Sequence, residues 1–407
     1  MLVMEYKAVV KKSQIIAINE AIRTSQFVRN KVLRYWMDNG EVGKKELYRY
    51  NTQLRDEFKF VKALNSHACQ ASVENVERAI NRFFDNCKKG KPGKKGYPKF
   101  KKHSRSVEYK QSGWKLHPSK RLITFTDKKG IGEIKLLGKW DIHRFDEKQI
   151  KRVRLVRRAD GFYCQFVLDV DAKVESENEE LWFFSYCFKM VGLDVGLEYF
   201  YSDSDGNHVE NPRFLRKAEK HIKRSQRRIY KHKKGSNRRR KSREVYARKH
   251  LRVSRQRTEF AKRLALTLVR SNDLVAYEDL KVKNMVKNRR FAKSINDAAW
   301  SEFRRWVEYF AWKHNRFAIA LKGDASRIAV PPHNTSQLCS NCGAKINKEL
   351  KVRIHQCSCG CVLQRDVNAA INILKRATGG HLGSNAQGIA TSTLLGESLV
   401  EQVATMN

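Results

Sequence analysis

The chain has 407 residues, with 84 Lys or Arg against 42 Asp or Glu, a formal charge of +42. Hydrophobic residues make up 41%, enough to bury the cores of two or three domains. A surplus of this size calls for a polyanionic partner, either coated passively or worked on chemically. No apolar run is long enough to span a bilayer, and the start, MLVMEYKAVVKKSQ, has no signal-peptide core. Of the nine cysteines, five crowd between Cys339 and Cys361. That pattern argues against a secreted disulfide scaffold and for metal in a reducing compartment. A cytoplasmic protein with no membrane partner is expected.

In chain order, Leu2 to Val10 alternates like a strand. From Ser13 to Gly40, apolar residues such as Ile16, Ile22, Phe27, Val32, Leu33 and Trp36 recur near helical spacing, and Asn39-Gly40 stops the run. A second helix is expected from about Ala63 to Asn86, followed by a basic Gly/Pro loop, CKKGKPGKKGYPKFKK, that reads equally as a linker or a phosphate-tracking segment. From about Tyr97 to Val174 the texture is that of short strands, with Phe162 to Val170 alternating as a half-buried one. A small β-barrel follows from this, then a polar linker from Ser176 to Glu180 and a further strand-rich segment near Phe184. From Phe214 to Val269 the pattern is two long helices broken at Lys234-Gly235-Ser236. Roughly half of the residues from Arg213 to Lys249 are Lys or Arg with almost no balancing acid, a phosphate-contact footprint. Arg224, Arg227, Arg228, Lys231, Arg238, Arg239 and Arg240 are its candidate contacts. A strand at Leu274 to Tyr277 and a helix from about Asp297 to Asn315 come next. In that helix Trp300, Phe303 and Trp306 are core residues first. A last helix runs from Asp366 to Arg376, and the tail beyond lacks periodicity.

Three acids sit on apolar elements. Asp194 interrupts the buried run Val191 to Val195, where a lone charge demands a metal or a cation. The run continues as a hairpin, Tyr199 to Ser202 and His208 to Glu210, in which Asp203 and Asp205 are turn residues. Glu278 ends the strand at Leu274 to Tyr277, with Asp279 pointing the other way. Asp366 stands near a helix N-terminus whose buried stripe is Ala369, Ala370, Ile373 and Leu374; a plain helix cap is its alternative reading. Carboxylates on rigid elements are what two-metal phosphodiester cleavage needs.

Of the cysteines, Cys339-Ser-Asn-Cys342-Gly is a CxxCG knuckle, and Cys357-Ser-Cys359-Gly360-Cys361 follows after fourteen residues. Two such pairs bind one structural Zn²⁺, with four ligands leaving no open position. The second pair is either Cys357/Cys359 or Cys359/Cys361, and His355 is a weaker fourth ligand.

The motifs GLDVG, AYEDL and RDVNAAINIL resemble the three RuvC-type motifs of the TnpB family of transposon-encoded RNA-guided nucleases, which is related to the miniature type V CRISPR effectors. The resemblance extends to FVRNKVLRYW, ACQASVENVERAINRFF, GYPKFKK and KNRRFAKSINDAAWSEF, and so covers nearly the whole chain. It implies a multi-domain α+β protein. An N-terminal β-barrel wedge (1–10 and 96–180) would carry an inserted helical recognition domain (11–95). An RNase H-like (RuvC) nuclease domain (181–326 and 362–380) would carry the basic hairpin and a zinc-binding insertion (327–361), with a flexible tail at 381–407. It also implies two Mg²⁺ on Asp194, Glu278 and Asp366, a guide RNA encoded near the gene, and a double-stranded DNA target read chiefly by base pairing. Gln70 falls where the family reads the target-adjacent motif, and Lys281 to Arg290 resembles the segment gating its nuclease site. The family's spacing to Asp366 favours Cys357 and Cys359 as the second zinc pair, with Cys361 the competitor. Gln364 departs from the family, which has an acid before Arg365. The competing functions are a nuclease-silent guided repressor, which would be expected to lose one of the acids, and a transposase using a similar triad.

Overall fold

The computed structural model describes residues 2–40, 42–90, 92–119, 121–138, 142–169, 189–321, 335–349 and 352–378. The linker at Ser176 to Glu180, the segment near Phe184 and the tail at 381–407 lie outside the described residues. Two compact units divide the chain, Met1–Asp171 and Ala172–Asn407. Among the described residues no helix is long and apolar enough to cross a membrane.

The first unit opens with β1 (Leu2–Val9) and continues through α1 (Lys12–Asn39), α2 (Lys44–Glu57), α3 (Lys59–Lys62) and α4 (Ser66–Lys88). It closes with β2 (Ser106–Tyr109), β3 (Trp114–Leu116), β4 (Leu122–Phe125), β5 (Gly132–Leu137), β6 (Ile150–Arg158) and β7 (Gly161–Leu168). The strands form one sheet in the order β2-β6-β7-β1-β5-β4-β3, so β1, separated from β2 by four helices, ends in the middle. The sheet rolls: the Tyr109 ring on edge strand β2 meets Phe125 of β4, centroids 4.8 Å apart. Among the described residues the ladder does not close between β2 and β3.

In α1 the buried stripe is Ala17, Ile18, Ala21, Ile22, Val28, Val32, Leu33 and Trp36. Ile16, expected on that stripe, is 70% exposed, because Ala17 and Ile18 take the inward positions. Strand β7 is buried on both faces rather than half-buried. On its polar side Gln165 donates to Glu5, which also takes Arg158, and Arg158 lies over the Tyr163 ring. Long charged side chains therefore cover the face expected to meet water. Arg152 bridges Glu74 of α4 (2.6 Å) and Glu108 of β2 (2.5 Å). Burial pushes both carboxyls up, but Arg152 with Lys110 and Arg154 outweighs it and holds them below the usual range. The later part of the basic loop is pinned to α1: Gln26, Arg29 and Asn30 donate to the carbonyls of Lys99, Lys101 and Lys102.

The second unit contains β8 (Met190–Asp194), β9 (Tyr199–Asp203), β10 (His208–Glu210), α5 (Phe214–Tyr230), α6 (Asn237–Ser271) and β11 (Leu274–Glu278). After them come α7 (Val282–Met285), α8 (Ala292–Ala298), α9 (Trp300–Lys313), β12 (Phe317–Leu321), β13 (Ile354–Gln356), β14 (Val362–Gln364) and α10 (Arg365–Ala377). Five strands form a mixed sheet, β10-β9-β8-β11-β12, in which β8, β11 and β12 are parallel and β8 to β10 form an antiparallel meander. The expected helix from Asp297 to Asn315 is two helices, since Ala299 adopts the left-handed conformation at φ 57°. Asp297 then serves elsewhere: it accepts from the Leu215 and Arg216 amides at the start of α5 and pairs with Arg257 of α6. This supplies the acceptor that the first turn of α5 otherwise lacks. Trp300, Phe303 and Trp306 are buried, as expected of core residues.

Candidate active site and metal centre

Strands β8 and β11 run in parallel with Tyr277 opposite Leu193. Their next residues, Glu278 and Asp194, therefore emerge side by side at the carboxyl edge of the sheet. By strand alternation Gly192 and Asp194 share a face, as do Leu274, Ala276 and Glu278. Helix α10 covers that face: Leu274, Ala276, Leu321, Ile373 and Leu374 form one buried cluster. Contact is tight at Gly192, where an added Cβ would lie 2.1 Å from the Ala370 carbonyl oxygen and 2.9 Å from Leu374 Cβ. Only glycine lets the helix sit this low. Asp366 lies one turn before Ala370 on the same side of α10, and so is brought over the strand ends.

Gln364 caps that helix. Its Oε1 accepts from the amides of Asp366 (2.7 Å) and Val367 (2.9 Å), and its Nε2 lies 3.4 Å from Asp366 Oδ2. Gln364 is thus a neutral N-cap, and Asp366 itself is not the cap.

Asp194 is pushed well above the usual carboxyl range, chiefly by desolvation and further by the charges of Glu278 and Asp366, with Arg365 opposing. The charges of Glu278 and Asp366 thus both act on Asp194, while Arg376 of α10 is close enough for its charge to act on Glu278. The four cysteine sulfurs are the ligand group found within 4.8 Å of one another among the described residues, so the carboxylates are spread more widely.

Other acids are accounted for. Asp203 accepts from the amides of Asp205 and Asn207 and from the Asn207 side chain, as a turn residue does. Asp279 pairs with Arg304 of α9, away from the cluster. Sequence reasoning missed two neighbours of the cluster. Thr335 Oγ1 donates to Glu278 Oε1 at 2.8 Å. Ser202 stands opposite Asp194 in the ladder and is 2.8 Å from His208 Nδ1, while His208 stacks on Tyr199. No local pattern around Thr335 or Ser202 distinguishes them from surface hydroxyls.

Around the knuckle, Cys339 Sγ is 3.7 Å from Cys359 Sγ, and Cys342 Sγ is 3.4 Å from Cys357 Sγ. Tetrahedral zinc with Zn–S bonds near 2.3 Å spaces its sulfurs roughly 3.8 Å apart, so the four fit one ion. Two turns make this possible, closed by Gly343 N to the Cys339 carbonyl and Gly360 N to the Cys357 carbonyl, with both glycines at positive φ. The second turn lets a C-x-C pair converge; Cys361 is not among the four, although its thiol contacts that of Cys339. Burial pushes the Cys339 thiol up, but the amides of Cys342 and Asn341 with His355 and Cys359 bring it down to about 5; at Cys342 the Ala344 amide lowers the thiol but Cys357 and Cys359 raise it to about 12, so the metal-free sulfurs share protons among themselves. Cys359→Ser is expected to lose stoichiometric zinc and lower the melting temperature, whereas Cys361→Ser keeps both; elemental analysis beside a thermal melt checks this.

Arg224, Arg227, Arg228, Lys231, Arg238 and Arg240 are exposed on the α5–α6 hairpin, whose inner stripe is Ile222, Ser225 and Ile229. Arg239 is half-buried, donates to the His232 carbonyl at 3.2 Å and lies over the Tyr230 ring, which closes the hairpin turn. Gln70 is half-buried on α4 between buried Cys69 and Ala71.

Two family models match the second unit and divide its centres between them. Residues 188–289, with Asp194 and Glu278, match OrfB_IS605, described as "Probable transposase". Residues 300–373, with the cysteine group and Asp366, match the Cas12f1-like TNB domain. These matches bear out the resemblance to the TnpB family. Among individual relatives, a Streptomyces pristinaespiralis protein named as an RNA-guided DNA endonuclease is 38% identical over 186 residues, which is 45% of this chain and 44% of that one. InsQ of Escherichia coli K12, named likewise, is 26% identical over 86% of this chain and 85% of its own length. A solved Cas12f1–sgRNA–target DNA complex aligns over 92% of this chain and 99% of its own at 14% identity and a TM-score of 0.33.

Proposed function

We propose that this chain is an RNA-guided DNA endonuclease that binds a guide RNA encoded near its own gene, recognises a short target-adjacent motif, and cleaves the DNA by phosphodiester hydrolysis. The observation that carries the reading is the register of β8 and β11 beneath α10, with Asp194, Glu278 and Asp366 at one sheet edge and their charges felt at Asp194. The mixed five-stranded sheet is compatible with an RNase H-like (RuvC) domain. The names of the two relatives point to the same activity. Retention of all three acids counts against the silent repressor.

Asp194, Glu278 and Asp366 would hold two Mg²⁺, which when bound supply a nucleophile at neutral pH and stabilise both oxygens of an in-line displacement. The chain's own contribution is to fix three carboxylates on two strand ends and a helix start, each on a rigid element. Cys339, Cys342, Cys357 and Cys359 would hold one structural Zn²⁺. The first unit is assigned to the wedge (1–10, 96–180) with its helical recognition insertion (11–95), and Gln70 to motif reading. The second unit is assigned to the nuclease domain (181–326, 362–380) with its zinc insertion (327–361).

The exposed arginines of the hairpin are assigned to phosphate contacts. Replacing Arg224, Arg227 and Arg228 together with Ala is expected to weaken nucleic-acid binding uniformly across sequences and to lower the salt slope by about 0.9 for each phosphate no longer neutralised. An unchanged slope in salt-titrated binding would remove them from the interface. The transposase reading is favoured by the description of the first family model. Incubating RNA-loaded protein with matched duplex in Mg²⁺ or in chelator separates the two: hydrolysed ends support the nuclease, and joined strands support the transposase.

A further inference from the structure

Helix α10 carries two buried asparagines one turn apart, Asn368 at 0% and Asn372 at 7% exposure. A buried amide is costly unless it is bonded, so where these bond is informative. Both serve one segment, 335–340. Asn372 Nδ2 donates to the carbonyls of Thr335 and Leu338, each at 2.8 Å. Asn368 Nδ2 donates to the Leu338 carbonyl, and its Oδ1 accepts from the Ser340 amide, again at 2.8 Å. The segment is thereby fixed on the helix that carries Asp366. At its far end stands Cys339, the first cysteine of the knuckle. At its near end stands Thr335, 8% exposed, whose hydroxyl donates to Glu278 Oε1.

We propose that Thr335, held by Asn372, is a positioning residue that fixes the rotation of the Glu278 carboxylate. Glu278 ends β11, where pairing with Leu321 fixes its backbone; the charge of Arg376 acts on its carboxylate as a whole, and the Thr335 hydroxyl bonds one named oxygen of it. A hydroxyl on one carboxylate oxygen selects one rotation of the group, and the partners of metal-ligating groups tune affinity in this way. Asp366, the Glu278 orienter and the first zinc-knuckle cysteine thus hang on the same two turns of α10.

The inference rests on Glu278 being a ligand for divalent ions, and the test separates the two claims. Mn²⁺ binding to the RNA-loaded chain is measured by electron paramagnetic resonance, with zinc content and melting temperature recorded for each variant. Thr335→Val keeps the shape and loses the donor. It is expected to weaken Mn²⁺ binding roughly ten-fold with zinc and melting temperature held. Thr335→Ser restores the hydroxyl and should return the affinity to the wild-type value. Glu278→Gln is the control and should weaken binding at least as much. Wild-type affinity in Thr335→Val, or no rescue by Ser, overturns the positioning role while Glu278→Gln still reports a ligand. Wild-type affinity in Glu278→Gln overturns the ligand reading itself.

Discussion

Asp194→Asn should abolish DNA cleavage, leave RNA and DNA binding intact, and make the metal-free protein more stable at neutral pH. The last effect follows from the cluster's electrostatics. Asp194 is desolvated and faces Glu278 and Asp366, so its folded pKa lies well above the ordinary carboxyl value. Below that ordinary value the folded and unfolded chains are both protonated there, and the group contributes no difference. Above it the folded chain binds more protons than the unfolded one, so stability falls as pH rises towards the folded pKa. Asn has no proton to lose and removes that slope. Divalent ions should act oppositely, raising the melting temperature of the wild type by binding the folded state and leaving that of the variant nearly unchanged. Melting curves against pH, with and without Mg²⁺, check both signs. A variant that loses nucleic-acid binding too would place Asp194 in the fold rather than the chemistry.

Gly192→Ala carries the largest expected structural effect. The new Cβ would sit 2.1 Å from the Ala370 carbonyl oxygen and 3.0 Å from the Leu374 amide nitrogen. Both are backbone atoms inside a helix and cannot swing aside as a side-chain end could. Helix α10 must lift, at a cost of about 3 kcal/mol, the upper part of the range for overpacking. Lifting it also carries Asp366 away from Asp194 and Glu278. A displacement near 1 Å is enough to cost roughly a hundred-fold in rate. Denaturant unfolding and single-turnover cleavage should fall together, and a variant of wild-type stability would contradict the packing described.

The acids were legible because each breaks a pattern: Asp194 interrupts an apolar run, Glu278 ends another, and Asp366 opens an amphipathic helix. Their assembly was not legible, because register and helix height are tertiary facts. Nothing local says that Gly192 touches Ala370 or that Thr335 reaches Glu278 across 57 positions. Helix α2 escaped notice because its buried face has only Leu47, Asn51 and Leu54, too sparse an apolar stripe to register. The break at Ala299 was hidden because alanine is a strong helix former, and a left-handed alanine is imposed by packing rather than announced by sequence. The zinc pair was narrowed by spacing to Asp366, yet the choice among Cys357, Cys359 and Cys361 depended on the turn that Gly360 closes.

Guidance by RNA is tested most directly by expressing the chain with the DNA that flanks its gene, purifying it, and sequencing what is bound. The complex is then offered a duplex matching that RNA beside a randomised flank, in Mg²⁺. The expected result is one abundant bound RNA and cleavage that follows its sequence and selects one flanking motif. A chain that carries no RNA, or that cuts without regard to the RNA it carries, would contradict guidance.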